Sequence, residues 1–329
     1  MSELRQDIVS GDWIILAPER AKRPEEFWSK KIRKPTPKRT CPFEDLQATG
    51  NWPPILSEPN DEAWKAVLIP NKYPALRHEL RCAVPIKQGP YTTLHGVGYH
   101  DLVITRDHEK QFAHLSPADA LTVFELLERR YQAFVNDPCL LYTSAFFNWG
   151  HGAGASLFHP HYQVVTLPIV PPNVEHSLED SRRYFAEHRR CVHCELLKYD
   201  RKTKKRVIEE NKSAIVVAPF VSRTPFEMRV FPKRHAPYFE RTPREELKDI
   251  VAVLQSVLRR MGRKLKDPDF NFFIHTSPLK RQARYSHYHW HIEVIPKIST
   301  PAGFELGTGM DMNVIPPEVA AALLRGKKA

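Results

Sequence analysis

His159-Pro160-His161-Tyr162-Gln163, running on to Leu167-Pro168, and its echo His287-Tyr288-His289-Trp290-His291, running on to Ile295-Pro296, decide the fold. Alternate residues of a β-strand share a face, so His159, His161 and Gln163 converge on one surface, as do His287, His289 and His291. Pro160 donates no ladder hydrogen bond, which predicts an edge strand with an open side. Outward from each stretch the same series repeats: a cysteine knuckle, an apolar strand pair, a lone His, a Pro-started helix, then the His-dense strand.

The first copy begins at Cys41. Val67-Leu68-Ile69 and Asp101-Leu102-Val103-Ile104 read as strands, His108 follows, and Ser116-Pro117-Ala118-Asp119 opens a helix to Phe134. The second begins at Cys191, with strands over Ala214 to Ala218 and Glu227 to Phe231, His235, and Thr242-Pro243-Arg244-Glu245 opening a helix to about Lys264. Ser116 and Thr242 are the expected caps. The repeat predicts an α+β protein of two tandem units, 1–172 and 173–329, each an antiparallel sheet with packed helices. Pro171-Pro172 marks the boundary.

At about 150 residues per domain, the 329 residues also allow two domains. Charged residues make up 26% and apolar residues 42%, and no run of 18 apolar residues occurs, which excludes a membrane span. Met1 to Asp7 does not read as a signal peptide. The net charge of +11 favours anionic partners. The basic runs Lys30 to Lys38 and Lys202 to Arg206 read as solvated loops; as nucleic-acid contacts they lack interleaved aromatics and a groove-reading helix. A zinc-knuckle nucleic-acid-binding protein is the rival these runs raise, and no nucleic acid or membrane partner is expected. Five cysteines without a secretion signal predict a reduced, cytoplasmic protein.

Three constellations carry chemistry. Asn148-Trp149-Gly150-His151-Gly152-Ala153-Gly154-Ala155-Ser156 is a small-residue loop, and its bare amides are expected to approach phosphate oxygens just before the imidazole pair. Cys191, Cys194, His235 and His289 supply the ligand types of a tetrahedral zinc site, with His287 or His291 as alternatives to His289. A redox dithiol is the rival there, but such motifs open a helix in a βαβ context, and Cys191 follows a basic helix. Cys41, Glu44, His108 and His159 form the corresponding first-half set, with a carboxylate in place of the second cysteine.

These residues resemble the galactose-1-phosphate uridylyltransferase family, the transferase branch of the histidine-triad superfamily, and the likeness spans nearly the whole chain. Trp13 to Leu16 with Arg20-Ala21-Lys22-Arg23-Pro24 resembles the family's N-terminal nucleotide-contacting segment, and Pro70-Asn71-Lys72-Tyr73-Pro74-Ala75-Leu76 resembles its base and ribose loop. The resemblance implies that His161 is the nucleophile, Gln163 its partner and His159 a zinc ligand. It further implies that Arg20, Arg23, Asn71, Asn148, Gly154 and Ser156 bind nucleotide, and that the enzyme is a homodimer acting on a nucleotide sugar and a sugar phosphate. The activity implied is nucleotidyl transfer through a covalent nucleotidyl-histidine with ping-pong kinetics, first as a UDP-glucose:hexose-1-phosphate uridylyltransferase of galactose metabolism. The alternative is an ADP-glucose phosphorylase-type adenylyltransferase using inorganic phosphate, because Ala302-Gly303-Phe304-Glu305-Leu306-Gly307-Thr308-Gly309 resembles a subgroup containing plant-type ADP-glucose phosphorylases. The chemistry is coherent: a neutral imidazole attacks phosphorus well when its other nitrogen is held protonated, and a sugar phosphate leaves without a strong general acid.

Overall fold

Apolar alternation along the chain sets the elements, and the computed structural model describes residues 1–21, 33, 35–79 and 81–326. β1 (Glu3–Gln6) and β2 (Trp13–Leu16) pair in a small N-terminal sheet, followed by β3 (Leu56–Glu58) and β4 (Ala66–Pro70). An exposed hairpin, β5 (Ile86–Gln88) and β6 (Tyr91–Thr93), leads to β7 (Tyr99–Thr105), α1 (Pro117–Phe134), β8 (Tyr142–Trp149) and β9 (His161–Leu167). Two helices, α2 (Pro172–His188) and α3 (Val192–Thr203), open the second half. There β10 (Val207–Glu210), β11 (Ala214–Val217), β12 (Met228–Pro232), α4 (Arg244–Lys264), β13 (Phe270–His275) and β14 (His291–Pro296) repeat the series. A short α5 (Gly303–Thr308), β15 (Met312–Asn313), which joins β2 in parallel, and α6 (Pro317–Leu324) complete the described chain.

Ten strands form one sheet in the order β10-β11-β12-β14-β13-β8-β9-β7-β4-β3. The order is a mirror about the β8–β13 pair. The two antiparallel sheets expected from the repeat are therefore joined edge to edge, with Asn148 opposite Asn271 and Phe147 opposite Phe272. This corrects the edge-strand reading: β9 lies inside the sheet between β7 and β8, because Pro160 falls just before the strand and removes no ladder bond.

The two helices that cover the sheet begin differently. Ser116 caps α1, its Oγ accepting the Asp119 amide at 3.1 Å, with Pro117 in the first turn. Thr242, by contrast, does not cap α4: its hydroxyl is buried without a hydrogen-bond partner among the described residues, and Pro243 stands at the cap. One apolar core runs under both halves. Phe147 stacks on Tyr162 at 4.7 Å and meets Phe272 at 5.1 Å, while Phe112 of the first half lies 5.4 Å from Phe272. Tyr162 is thus the core-facing alternate of a strand whose other face carries His161 and Gln163.

Cys82 and Cys139 are joined in a disulfide, so two of the five cysteines depart from the fully reduced expectation. No helix of the described residues is long and apolar enough to cross a membrane. The basic runs are partly structural. Arg206 is buried and paired with Asp200 and Glu318, and Lys204 bonds Glu210 at 2.9 Å.

Truncating Phe272 to Ala removes the ring that bridges the halves. Urea unfolding is expected to show a loss of about 3–5 kcal/mol, and a loss below about 1 kcal/mol would contradict a shared core.

Candidate functional site

His161 opens β9, and its register against Ile104 of β7 turns the imidazole away from the apolar core. Its Nδ1 lies 3.0 Å from the His159 carbonyl oxygen. A carbonyl only accepts, so Nδ1 carries the proton and Nε2 keeps its lone pair. Burial pushes the His161 pKa below the ordinary imidazole value, opposed in part by that hydrogen bond, which keeps the ring neutral near physiological pH. Phe43, from the Cys41 knuckle, sets its ring 5.5 Å from the His161 ring and edge-on to His159 at 5.6 Å. Two residues on, Gln163 shares the His161 face, and its Oε1 lies 3.0 Å from Nε2 of His100 on β7.

Upstream, residues 150–155 close a tight turn rather than a row of open amides. The amides of Ala153 and Ala155 donate to the Gly150 carbonyl, that of Gly154 donates to His151, and that of Gly152 donates to Asp269 Oδ2 at 2.8 Å. The expectation of bare amides is corrected for these four. Gly150 has φ +84°, and a Cβ there would fall 1.9 Å from Asp269 Oδ1, while Gly154 takes the left-handed conformation at φ +85°. The bracket comes from the second half: Asn271 Nδ2 donates to Asn148 Oδ1 at 2.7 Å and to the Ala153 carbonyl at 2.8 Å. Arg33 lies over the Trp149 ring and bonds Asp269 at 2.8 Å, so this part of the first basic run serves the loop. A cleft of about 680 Å³ runs along Arg33, Trp149, His151, Ser156 and Phe158, a size suited to a small ligand.

Asn71 follows β4 and its backbone N–H donates to the His100 carbonyl at 2.8 Å, whereas Arg20 is exposed at the end of a short 3-10 helix near the N-terminus. Arg23 lies outside the described residues. The roles of His100, Asn271 and Asp269 are not legible in the sequence. Their roles come from cross-strand register and from pairing between the halves, and only strand alternation back from Leu102 places His100 on the Gln163 face.

Two further groups bring soft and borderline ligands together. The ligand atoms of Cys191, Cys194, His235 and His289 lie within 4.8 Å of one another, and so do those of Cys41, Glu44, His108 and His159. The imidazole tautomers suit a metal. Nε2 of His108, His159 and His235 points at the carbonyls of Thr36, Thr105 and Ser286 at 2.7–2.8 Å, leaving each Nδ1 lone pair toward its group. His287 and His289 precede β14 and only His291 lies on it, which corrects the expectation that one strand face carries all three; His287 turns to the Leu178 carbonyl, the His291 ring donates from Nδ1 to the His289 carbonyl, and His289 is the one beside Cys194. Cys191 stands at the N-cap of α3, so the motif does open a helix, but one that follows α2 rather than a strand. Hydrogen bonding with Cys194, opposed by burial, draws the Cys191 thiol well below its ordinary pKa, as a metal-ligating thiolate requires.

The second half keeps the outline of the first site with different occupants. His291 repeats the Nδ1 bond at 3.2 Å, but Glu293 stands where Gln163 does. Arg229 lies 3.2 Å from Glu227, 3.6 Å from Glu293 and 3.8 Å from Asp7, and His275 Nε2 lies 3.2 Å from Glu293. A cavity of about 440 Å³ lies against Arg229, His275, His291 and Glu293, and the N-terminal segment, including Asp12 and Trp13, walls it.

Residues 1–171 match the family described as "Galactose-1-phosphate uridyl transferase, N-terminal domain", and residues 91–325 match a "Domain of unknown function (DUF4921)". The chain is 35% identical to an ADP-glucose phosphorylase of Arabidopsis thaliana, over 98% of its own length and 92% of the relative's. It is 27% identical to a galactose-1-phosphate uridylyltransferase of Thermotoga maritima, over 99% and 98%. Among solved structures, the Arabidopsis ADP-glucose phosphorylase with bound ADP-glucose superposes at a TM-score of 0.85 with 32% identity, covering both chains fully. A uridylyltransferase structure at 24% identity and a TM-score of 0.76, covering 99% of this chain and 98% of that one, shares the fold.

Gly150→Ala forces a Cβ into Asp269 and strains a positive φ, so it is expected to cost about 2 kcal/mol or more in thermal or urea unfolding. Adding Asp269→Ala is expected to cost less than the sum of the two single changes. Strict additivity would show that the turn is not held against Asp269.

Proposed function

Because the chain belongs to the galactose-1-phosphate uridylyltransferase family and is a nucleotidyltransferase, we propose that it moves a nucleoside monophosphate from a nucleotide sugar to a phosphate acceptor through His161. The observation that carries this reading is the His161 ring, proton-donating at Nδ1 and open at Nε2, on one strand face with Gln163. His161 Nε2 attacks the α-phosphorus, an N–P bond forms, and the P–O bond to the sugar 1-phosphate breaks. The leaving phosphate is already largely ionised near neutrality and needs no strong acid. The Gln163 amide steadies a non-bridging oxygen and offers no readily transferable proton. A second phosphate then attacks the phosphorus and frees His161.

Asn148, Gly154, Ser156, Asn71, Arg20 and Arg23 complete the nucleotide contacts in this reading. Residues 1–172 form the catalytic unit and residues 173–329 the metal-binding unit, and the enzyme works as a homodimer. The first donor we assign is ADP-glucose with inorganic phosphate as acceptor, supported by the 35% identity to an ADP-glucose phosphorylase along almost the whole chain. The second reading is exchange between UDP-glucose and a hexose 1-phosphate, favoured by the match of residues 1–171 to the uridyl transferase domain.

Each four-residue group would hold one zinc, which supplies folding energy to its knuckle. The first knuckle also carries Phe43 against His161, so its integrity reaches the nucleophile.

His161→Gly is expected to lower turnover of the preferred pair by at least about a thousandfold with little change in melting temperature. Near-normal turnover without added imidazole would overturn the assignment. Zinc analysis of the Cys191→Ser, Cys194→Ser double variant is expected to show loss of one of two equivalents together with lower stability; undiminished zinc would remove this group from the reading.

A further inference from the structure

We propose that His100 is a positioning residue that fixes which end of the Gln163 carboxamide faces the transferred phosphoryl group. The inference rests on the roles given above to His161 and Gln163. In the β7–β9 ladder Leu102 lies opposite Gln163 and His100 opposite Val165, so His100 stands one same-face step along from Gln163.

The donor and acceptor pattern settles the imidazole tautomer. His100 Nδ1 accepts the Ala75 backbone N–H at 3.2 Å, so in the neutral ring the proton sits on Nε2. Two groups lie beside that nitrogen: Gln163 Oε1 at 3.0 Å and Asn71 Nδ2 at 3.1 Å. Asn71 cannot take the proton, because its carboxamide oxygen already accepts the Tyr73 N–H at 3.0 Å and only its NH2 end faces the ring. Gln163 Oε1 is therefore the acceptor.

With its oxygen held by His100, the Gln163 side chain has only its NH2 end left for substrate. A free glutamine can present either end, and the reversed amide would set carbonyl lone pairs against an anionic phosphoryl oxygen. His100 removes that choice before the substrate arrives, which is preorganisation of a hydrogen-bond donor at the place where charge is handled. The ring is tied to the loop after β4 through the Ala75 amide, and the His100 backbone is tied to the same loop by the Asn71 N–H, which donates to the His100 carbonyl at 2.8 Å.

His100→Leu is expected to lower kcat about tenfold while KM for the nucleotide sugar moves less than about threefold, and His100→Gln, which can accept from Ala75 and donate to Gln163, is expected to regain most of kcat. In a Gln163→Ala background His100→Leu is expected to add little, since the partner it orients is gone. Additive losses, an unchanged kcat in His100→Leu, or a His100→Gln variant as slow as His100→Leu would overturn the proposal. A second measurement needs no variant enzyme to fold: the imidazole 15N shifts of His100 in the native protein should report the Nε2–H tautomer, and an Nδ1–H tautomer would overturn it. Activity that survives His161→Gly would instead overturn the parent reading, so the two failures are distinguishable.

Discussion

The antiparallel pairing of β8 with β13 is the constraint from which the rest follows. Each half-sheet alone would present an unpaired edge and half of an aromatic core, and both are expensive to leave in water. Joining them along residues 146–149 and 270–273 closes that edge and buries Phe147 and Phe272 against each other. It also sets Asn271 and Asp269 on the turn at residues 150–155, next to the strand that carries His161. A fold requirement, closing an edge, thereby becomes a functional one, because the second half supplies the bracket for a loop of the first.

The two halves present two similar strand faces with different electrostatics. Both His161 and His291 donate from Nδ1 to the carbonyl two residues back, so imidazole geometry does not distinguish them. Their neighbours do. Gln163 is neutral and meets His100, whereas Glu293 is a carboxylate within an array that includes Arg229, Glu227, Asp7 and His275. Burial raises the Glu293 pKa, but coulombic attraction to Arg229 and hydrogen bonding with His275 outweigh it and hold the carboxyl below its usual range, which favours a carboxylate that would repel a phosphoryl group. The first-half face carries no carboxylate at the equivalent position, whereas the second-half face pairs its own charges among Glu293, Arg229 and Asp7.

Much of this was legible in the sequence because it is local. Strand alternation put His161 and Gln163 on one face, and Ser116-Pro117 announced α1. The gathering of Cys191, Cys194, His235 and His289, and of Cys41, Glu44, His108 and His159, follows residue type and repeat order. What was not legible depends on partners distant in sequence. Pro160 suggested an edge strand, yet the flanking positions of β7 and β8 decide that β9 is central. The small-residue loop suggested open amides, but Asp269 and the loop's own carbonyls take them. Thr242 looked like the equivalent of Ser116 and is not, and the Cys82–Cys139 link joins residues that no spacing rule pairs. His100 is illegible in the sequence for the same reason, since its meaning lies in the register of β7 against β9.

The most direct test of the central claim, a covalent intermediate on the first-half strand, is to incubate the protein with ADP-glucose in the absence of phosphate and map the modification by peptide mass spectrometry under alkaline conditions. The account predicts one adenylyl group per chain on the peptide carrying His161 and none on the peptide carrying His291. An adduct on His291, or turnover with no adduct on either histidine, would contradict it.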